Sequence, residues 1–172
     1  MLKIRNAAKA DLESITQVEA ECFPPAEAAS GEVFARRLEA FPDHFWLLLD
    51  SDRLVGFVNG MVSDEHTITD VMYDNAEMHN ESGRWQMIFG LDVIPCYRRQ
   101  GCAGRLLQHV IRVSEEQGRS GVVLTCKEKL ISYYEKFGFE NEGISASVHG
   151  GAVWYDMRLT FCLRNTAMID RK

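Results

Sequence analysis

The stretch "LDVIPCYRRQGCAGRLLQHVI", residues 91–111, constrains the fold more than any other part of the chain. Two periodicities meet in it. A strand-like run ends at Pro95, and from Ala103 the residues Leu106, Leu107, Val110, Ile111 and Ser114 mark one face of a helix that stops at Gly118. The joining turn carries Arg98, Arg99, Gly101, Gly104 and Arg105 and no acid, in a chain whose net charge is -6. A strand that passes into a helix through glycines leaves the first N–H groups of the helix without partners, and the helix dipole favours negative charge there. The glycines permit a tight turn, and the arginines add bidentate donors for phosphate. The turn therefore reads as an anion cradle, with a solvated helix-capping loop as the alternative. It matches neither a Walker loop nor a GxGxxG fingerprint.

"LKIRNA" (2–7) alternates as a strand does, and Leu12, Ile15, Val18 and Cys22 then recur at helical spacing. Ala8 stands where a capping hydroxyl is expected, which leaves Asp11 to favour the positive helix end. After the proline-broken "FPPAEAASG" (23–31), "GEVFARRLEAF" (31–41) is a second short helix, and "FWLLLDSDRLVGFVNGMV" (45–62) is a hairpin about the turn at residues 50–53. The segment 63–83 is polar, acid-rich and aperiodic, a long connection of the kind that often carries function. A strand over 84–93, a buried parallel strand at "GVVLTC" (121–126), a helix at "LISYYEKFG" and two strands around Gly150 and Gly151 complete the pattern. The order β, α, α, β, β, β, α, β, α, β, β specifies an α/β (α+β) architecture, a mixed sheet with helices on both faces. With no internal repeat or linker, 1–172 reads as a single domain.

Composition narrows the function classes. A chain of 172 residues buries roughly 70 % of its unfolded surface and needs no staples. The excess of 25 acids over 19 bases disfavours a nucleic-acid partner and attracts cations if the acids gather at a pocket. No apolar run approaches the ~20 residues of a membrane helix, and "MLKIRNAAKADL" does not read as a secretory signal. Cys22, Cys96, Cys102, Cys126 and Cys162 are dispersed and lack CxxC spacing, so neither a disulfide framework nor a metal site is expected, and a reducing cytoplasm suits the chain.

"LDVIPCYRRQGCAGRLL" is similar to the acetyl-CoA signature of the GNAT acyltransferases, a strand ending L-x-V-x-P followed by [RQ]-x-x-G-x-[GA] and a helix. Here that signature is Arg98-Arg99-Gln100-Gly101-Cys102-Ala103. "YYEKFGF" (133–139) resembles the FYEKLGF segment of the same superfamily, and "IRNAAKADLESITQVEAECF" resembles its first strand and helix. Within the superfamily, "MHNESGRWQMIFGLDV" and "TCKEKLISYYEKFGF" are most similar to serotonin (arylalkylamine) N-acetyltransferase and its bacterial relatives. The resemblance implies a GNAT acyl-CoA N-acyltransferase fold, with a central mixed, mostly antiparallel sheet and helices on both faces, and N-acetyltransferase activity. It also implies acetyl-CoA, held by Leu91, Val93, Arg98, Arg99, Gln100, Gly101, Cys102, Ala103, Gly104 and Arg105. At two positions the likeness breaks: the histidines of that enzyme's proton relay correspond to Met87 and Phe89, and neither side chain accepts a proton.

Acetyl transfer to an amine needs the neutral amine, whereas an alkylamine with a pKa of about 10.4 is mostly protonated at neutral pH. A carboxylate or histidine, directly or through water, must take that proton. The candidates are His79, Glu81, Asp92 and Glu128, each of which also reads as a solvated or structural charge. Strict alternation puts Asp92 on the face opposite Met87, Phe89, Leu91 and Val93, unless a bulge intervenes. By the resemblance, Tyr134 is the general acid for the departing thiolate, with Tyr133 as the competing register, and N–H groups around Val93 receive the oxyanion. Phe23, Phe34, Phe41, Met87 and Phe89 are candidates for the acceptor cleft. The expected acceptor is a small primary amine, polyamines and arylalkylamines ahead of a protein lysine or N-terminus. A non-catalytic acyl-CoA sensor and a protein acetyltransferase are the alternatives. Neither a nucleic acid nor a membrane is expected as a partner, while the edge of the C-terminal strands suits a homodimer.

Overall fold

The computed structural model describes residues 1–162, and the end of the expected domain, 163–172, lies outside the described residues. In chain order the elements are β1 (Leu2–Asn6), α1 (Leu12–Cys22), α2 (Gly31–Ala40), β2 (Phe45–Asp50), β3 (Arg53–Asn59), β4 (Val62–Ser63), α3 (Asp70–Asp74), β5 (Trp85–Ile88), β6 (Gly90–Val93), α4 (Cys102–Glu116), β7 (Gly121–Cys126), α5 (Ile131–Glu135), β8 (Glu140–Ile144) and β9 (Tyr155–Thr160). The strands form two sheets, β1-β2-β3-β6 and β4-β5-β7-β9-β8, in which β5 and β7 pair parallel and every other pairing is antiparallel. The mixed architecture is as the sequence pattern specifies and its mostly antiparallel pairing as the resemblance implies, but the expected central sheet is divided into two. The connection over 63–83 adds β4 and α3 to the expected order.

Each helix turns an apolar stripe to a sheet. In α1 the stripe runs through Ile15, Val18 and Glu19, and in α2 through Phe34, Arg37 and Leu38, all buried. Phe34 meets Phe45 and Phe57 edge-on at 5.9 and 5.7 Å, so these two helices cover one face. On the other face α4 buries Leu106, Leu107, Val110 and Ser114, and its His109 meets Trp46 at 6.2 Å. The start of α1 lacks a capping hydroxyl, and Asp11 compensates. Its carboxylate accepts the Ala8 N–H at 2.8 Å and two bonds from Arg5 at 2.7 and 2.8 Å. No helix among the described residues is long and apolar enough to cross a membrane.

The strand expected over 84–93 is broken in two, and the break positions the site. Asn59 lies opposite Gly90, yet its carbonyl also accepts the Phe89 N–H at 2.8 Å, so two residues oppose one in a β-bulge. The bulge shifts the alternation by one residue. Asp92 pairs with Phe57 on the face covered by α1 and α2, the side on which Met87 packs with Phe41 and Met72. Leu91 pairs with Val58 on the α4 face. Strict alternation, which would set Asp92 opposite Met87, is thereby corrected.

Candidate active site

Parallel pairing of β5 with β7 ends at Ile88 and Leu124, while β6 follows β3 into the other sheet. The two sheets therefore part between β6 and the end of β7. Ile94 donates its N–H to the Val55 carbonyl at 3.0 Å, so by antiparallel alternation the backbone groups of Leu91 and Val93 point to the opposite edge, which no strand covers among the described residues. The helix α4 begins at the same place. Gly101, at φ +79°, caps it with no side-chain hydrogen bond, and the first intrahelical bond runs from Arg105 N–H to Gly101 O at 2.9 Å. The amides of the first turn are thus left for a ligand. A Cβ on Gly104 would lie 3.3 Å from Phe137 Cζ and 3.7 Å from the Tyr133 hydroxyl, so glycine is what lets α4 approach that neighbour.

A cavity of about 640 Å³ fills the gap. One end holds the cradle, where Leu91, Val93, Arg98, Arg99, Gly101, Cys102, Ala103 and Gly104 line the wall. The signature residues Gln100 and Arg105 turn elsewhere: the Gln100 amide donates to Cys96 O and an Arg105 Nη2 donates to Leu2 O, both at 2.8 Å. Arg98 spends its Nε on Val93 O at 2.9 Å, which leaves Arg99 as the cradle arginine without a protein partner among the described residues. Tyr134 also lines the cavity, 8 % exposed, its hydroxyl without a hydrogen-bond partner among the described residues. Burial pushes its phenol pKa well up, so the group holds its proton. Cys126, also in the wall, has its thiol raised to about 11 by burial and stays protonated as well.

The far end of the cavity carries carboxylates and rings. Glu19, Glu27, Tyr73, Phe89, Gly90 and His149 line it and also line an adjoining recess of about 210 Å³ that contains Arg37, Asn59 and Asp74. Glu27 pairs with Lys127 at 2.7 Å, and its second oxygen is buried without a partner among the described residues. The His149 ring stacks on Tyr73 with centroids 4.6 Å apart, and its Nε2 lies 2.9 Å from Glu27 O. Glu19 accepts the Ala29 N–H at 2.9 Å on one oxygen, and the other finds no donor among the described residues. Arg37, 4 % exposed, donates to Asn59 Oδ1 at 3.0 Å and Tyr73 O at 2.9 Å; burial draws its pKa down to about 10 against the opposing pull of Glu19.

The acceptor-cleft candidates divide. Phe23 and Phe89 line the cavity. Phe34, Phe41 and Met87 are core residues with at most 1 % exposure, because the apolar stripe of α2 turns inward and Met87 packs in a second core with Met61 and Val123. The base candidates scatter too. His79 and Glu81 sit outside the cavity in a cluster: Glu81 Oε2 lies 2.8 Å from His44 Nε2 and 3.0 Å from His79 Nε2, and Arg119 donates to Glu81 Oε1 at 2.7 Å. These two histidines and the carboxylate lie close enough for a shared cation. However, His79 Nδ1 already accepts the Val62 N–H at 3.1 Å, which leaves Nε2 to carry the proton given to Glu81. The cluster satisfies itself through hydrogen bonds. Glu128 is exposed in a 3₁₀ turn and does not line the cavity. Asp92 is 1 % exposed directly beneath Gly90, with burial and Glu19 both driving its pKa up.

Sequence reasoning passed over Glu19, Glu27, Arg37 and Tyr73. For two of them the sequence holds a signal. Glu19 continues the helical spacing 15, 18, 19, 22, and Arg37 the spacing 34, 37, 38, 41, so each is a charge placed in a core-facing stripe. Charges in such positions need each other or a ligand.

A family model described as acetyltransferase (GNAT) family matches residues 12–139, and the chain belongs to that family. Its fold is that of the GNAT domains. Serotonin N-acetyltransferase of Mesocricetus auratus is 29 % identical over 123 residues, 71 % of this chain and 57 % of that protein, so the chain matches little more than half of its relative's length. Among solved structures, the loading GNATL domain of CurA from Lyngbya majuscula superposes with a TM-score of 0.80 at 17 % identity, covering 93 % of this chain and 98 % of its own. The PaiA N-acetyltransferase from Thermoplasma acidophilum, in complex with coenzyme A, gives 0.70 at 16 % identity, with 94 % and 99 % covered.

Proposed function

We propose that the chain is an acetyl-CoA-dependent N-acetyltransferase that acylates a small, cationic primary amine by direct attack in a ternary complex. The observation that carries this reading is the convergence, in one cavity, of the open β6 edge, the uncapped start of α4 and the unpartnered Tyr134 hydroxyl. The cradle fits the cofactor on its own geometry. The first-turn amides and Arg99 suit the phosphates, and the outward-pointing backbone groups of Leu91 suit an amide of a pantetheine arm. When bound, acetyl-CoA supplies an acyl group activated as a thioester.

The chain's own groups divide the remaining work. The N–H of Val93, on the uncovered edge, is available to hold negative charge on the carbonyl oxygen. Tyr134, kept protonated by its burial, gives a proton to the departing sulfur. For the acceptor, the unpartnered oxygens of Glu19 and Glu27 beside the rings of Tyr73 and Phe89 suit an ammonium group. That carboxylate-and-ring chemistry, in a recess of about 210 Å³, favours a small amine over a protein lysine or N-terminus.

The test is release of coenzyme A thiol from acetyl-CoA against a panel of polyamines, arylalkylamines and peptides. Turnover with one amine class, reduced at least about tenfold in Tyr134→Phe with coenzyme A binding unchanged, is the expected result. Binding of acetyl-CoA without acetylation of any amine or peptide overturns it in favour of a sensor.

A further inference from the structure

Among the described residues, five buried polar atoms at one place lack a partner while both carboxyls are ionised: Glu19 Oε2, Asn59 Nδ2, Arg37 Nε and both carboxyl oxygens of Asp92, the Glu19 and Asp92 carboxyls sharing a hydrogen bond once one of them is protonated. An ideal Cβ built on Gly90 would lie 3.2 Å from Asp92 Oδ1, 3.7 Å from Asn59 Nδ2 and 4.0 Å from Glu19 Oε2, so three of them converge on the space over that glycine. Gly90 and Glu19 both line the cavity, and Asp92 lies directly below. Leaving a buried polar group unmatched costs about 1–3 kcal/mol, more for a charge, so a cluster of them is expensive to keep without a use. The charges facing Asp92 can be counted by element: Glu19 and the Cys22 thiol from α1, Arg37 from α2, Arg98 from the turn after β6 and the Tyr134 phenol from α5. Arg37 and Arg98 have other hydrogen-bond partners, and neither makes a salt bridge with Glu19 or Asp92.

We propose that Glu19 and Asp92 act as one carboxyl pair that accepts the proton of an alkylammonium substrate, Glu19 meeting the amine at the cleft and Asp92 acting through it from beneath. The inference rests on the acetyltransferase reading of the same cavity. Two adjacent carboxylates ionise in two separated steps, because the second charge forms beside the first in a poorly solvated place. Burial, with Glu19 beside it, lifts the Asp92 carboxyl above the ordinary carboxylate range, and a raised carboxyl is the better proton acceptor. With both groups ionised, one ammonium proton passes to Glu19 and is stored by the pair. The freed lone pair forms the C–N bond to the acetyl carbon. The C–S bond breaks with its electrons on sulfur, which takes the Tyr134 proton. A second proton leaves nitrogen as the amide forms and, through solvent, restores the phenol, and the pair returns its proton to solvent. Asp92 is on this account a positioning residue, and Glu19 the catalytic one.

The experiment combines the pH dependence of kcat/KM with carbon-13 NMR titration of the aspartate and glutamate carboxyls in the free protein. Wild type is expected to show an acid limb above the ordinary carboxylate range, matched by one carboxyl that titrates there without any ligand. In Asp92→Asn that limb moves down toward ordinary carboxylate values and the plateau falls. In Glu19→Gln, kcat falls roughly 100-fold while coenzyme A binding is kept. An acid limb that stays in place in Asp92→Asn, or ordinary titration of both carboxyls in wild type, overturns the pair while wild-type acetylation leaves the enzyme reading standing. Failure of the wild type to acetylate any amine overturns both. The wild-type titration decides the matter even if Asp92→Asn does not fold.

Discussion

At the scale of single residues, the site depends on a few positions where backbone and side chain are held in costly states. Gly101 is the plainest. At φ +79° with nothing within 4 Å of an added Cβ, it has room for a side chain but not the conformation for one. Gly101→Ala is therefore expected to destabilise the protein by about 1 kcal/mol through backbone strain alone, read as a lower urea midpoint at unchanged slope. Tyr134 shows the reverse, a side chain whose state is set by its environment rather than by its backbone. Burial removes water from the phenol and holds its proton in place, whereas Tyr133 beside it packs against Phe137 under Gly104. Glu19 and Arg37 were legible as anomalies, being charges in apolar stripes, but the stripes alone do not say that the two helices face each other across Asp92.

At the scale of elements, the connection over 63–83 illustrates how a polar, aperiodic segment becomes fixed. Its end is held by Glu81, which receives Arg119 and faces both His44 and His79, while Arg119 also donates to the carbonyls of Glu81 and Gly83 at 2.6 and 2.8 Å. Burial by itself would raise the Glu81 pKa, but the hydrogen bonds and charges of His44, His79 and Arg119 outweigh it and hold the carboxyl below its ordinary value. His79 is drawn down chiefly by burial, against the pull of Glu81. Both folded values are depressed, so the two contributions have the same sign. Each is complete above the group's unfolded pKa and is lost as pH falls through the folded one. The urea midpoint is thus expected to drop as pH falls below about 6.5, the ordinary imidazole value, and further through the carboxylate range. Glu81→Ala should cost about 1–2 kcal/mol at neutral pH, because Glu81 is largely exposed, and should remove the carboxylate part of that dependence while the imidazole part stays, since Glu81 opposes the depression of His79. An unchanged pH profile in the variant would place the acid sensitivity elsewhere.

At the scale of the whole molecule, the protein is two sheets joined through a bulge, and the cavity is the gap they leave. A ligand that bridges β6, α4 and β7 binds only the folded state and couples the halves. Coenzyme A at 100 times its Kd is expected to stabilise by about 2.7 kcal/mol, which for a chain of this size is a rise in Tm of roughly 5–10 °C. Arg99→Ala should weaken that rise by raising Kd, and differential scanning fluorimetry with and without coenzyme A checks both. The mixed sheet, the order of its main elements, the strand-to-helix cradle and the core faces of the helices were determined by the sequence, because each is written in local periodicity, in turn residues and in backbone groups that need partners. Tertiary structure alone decided which signature arginines face the cleft: Arg105 is tied to Leu2 and Arg98 to Val93, contacts between segments far apart or folded back on themselves. It also decided the fate of the acids. A one-residue bulge at Phe89 and Gly90 turns Asp92 beneath Glu19, and no periodicity of one strand records a slip that depends on how Asn59 of another strand pairs with it.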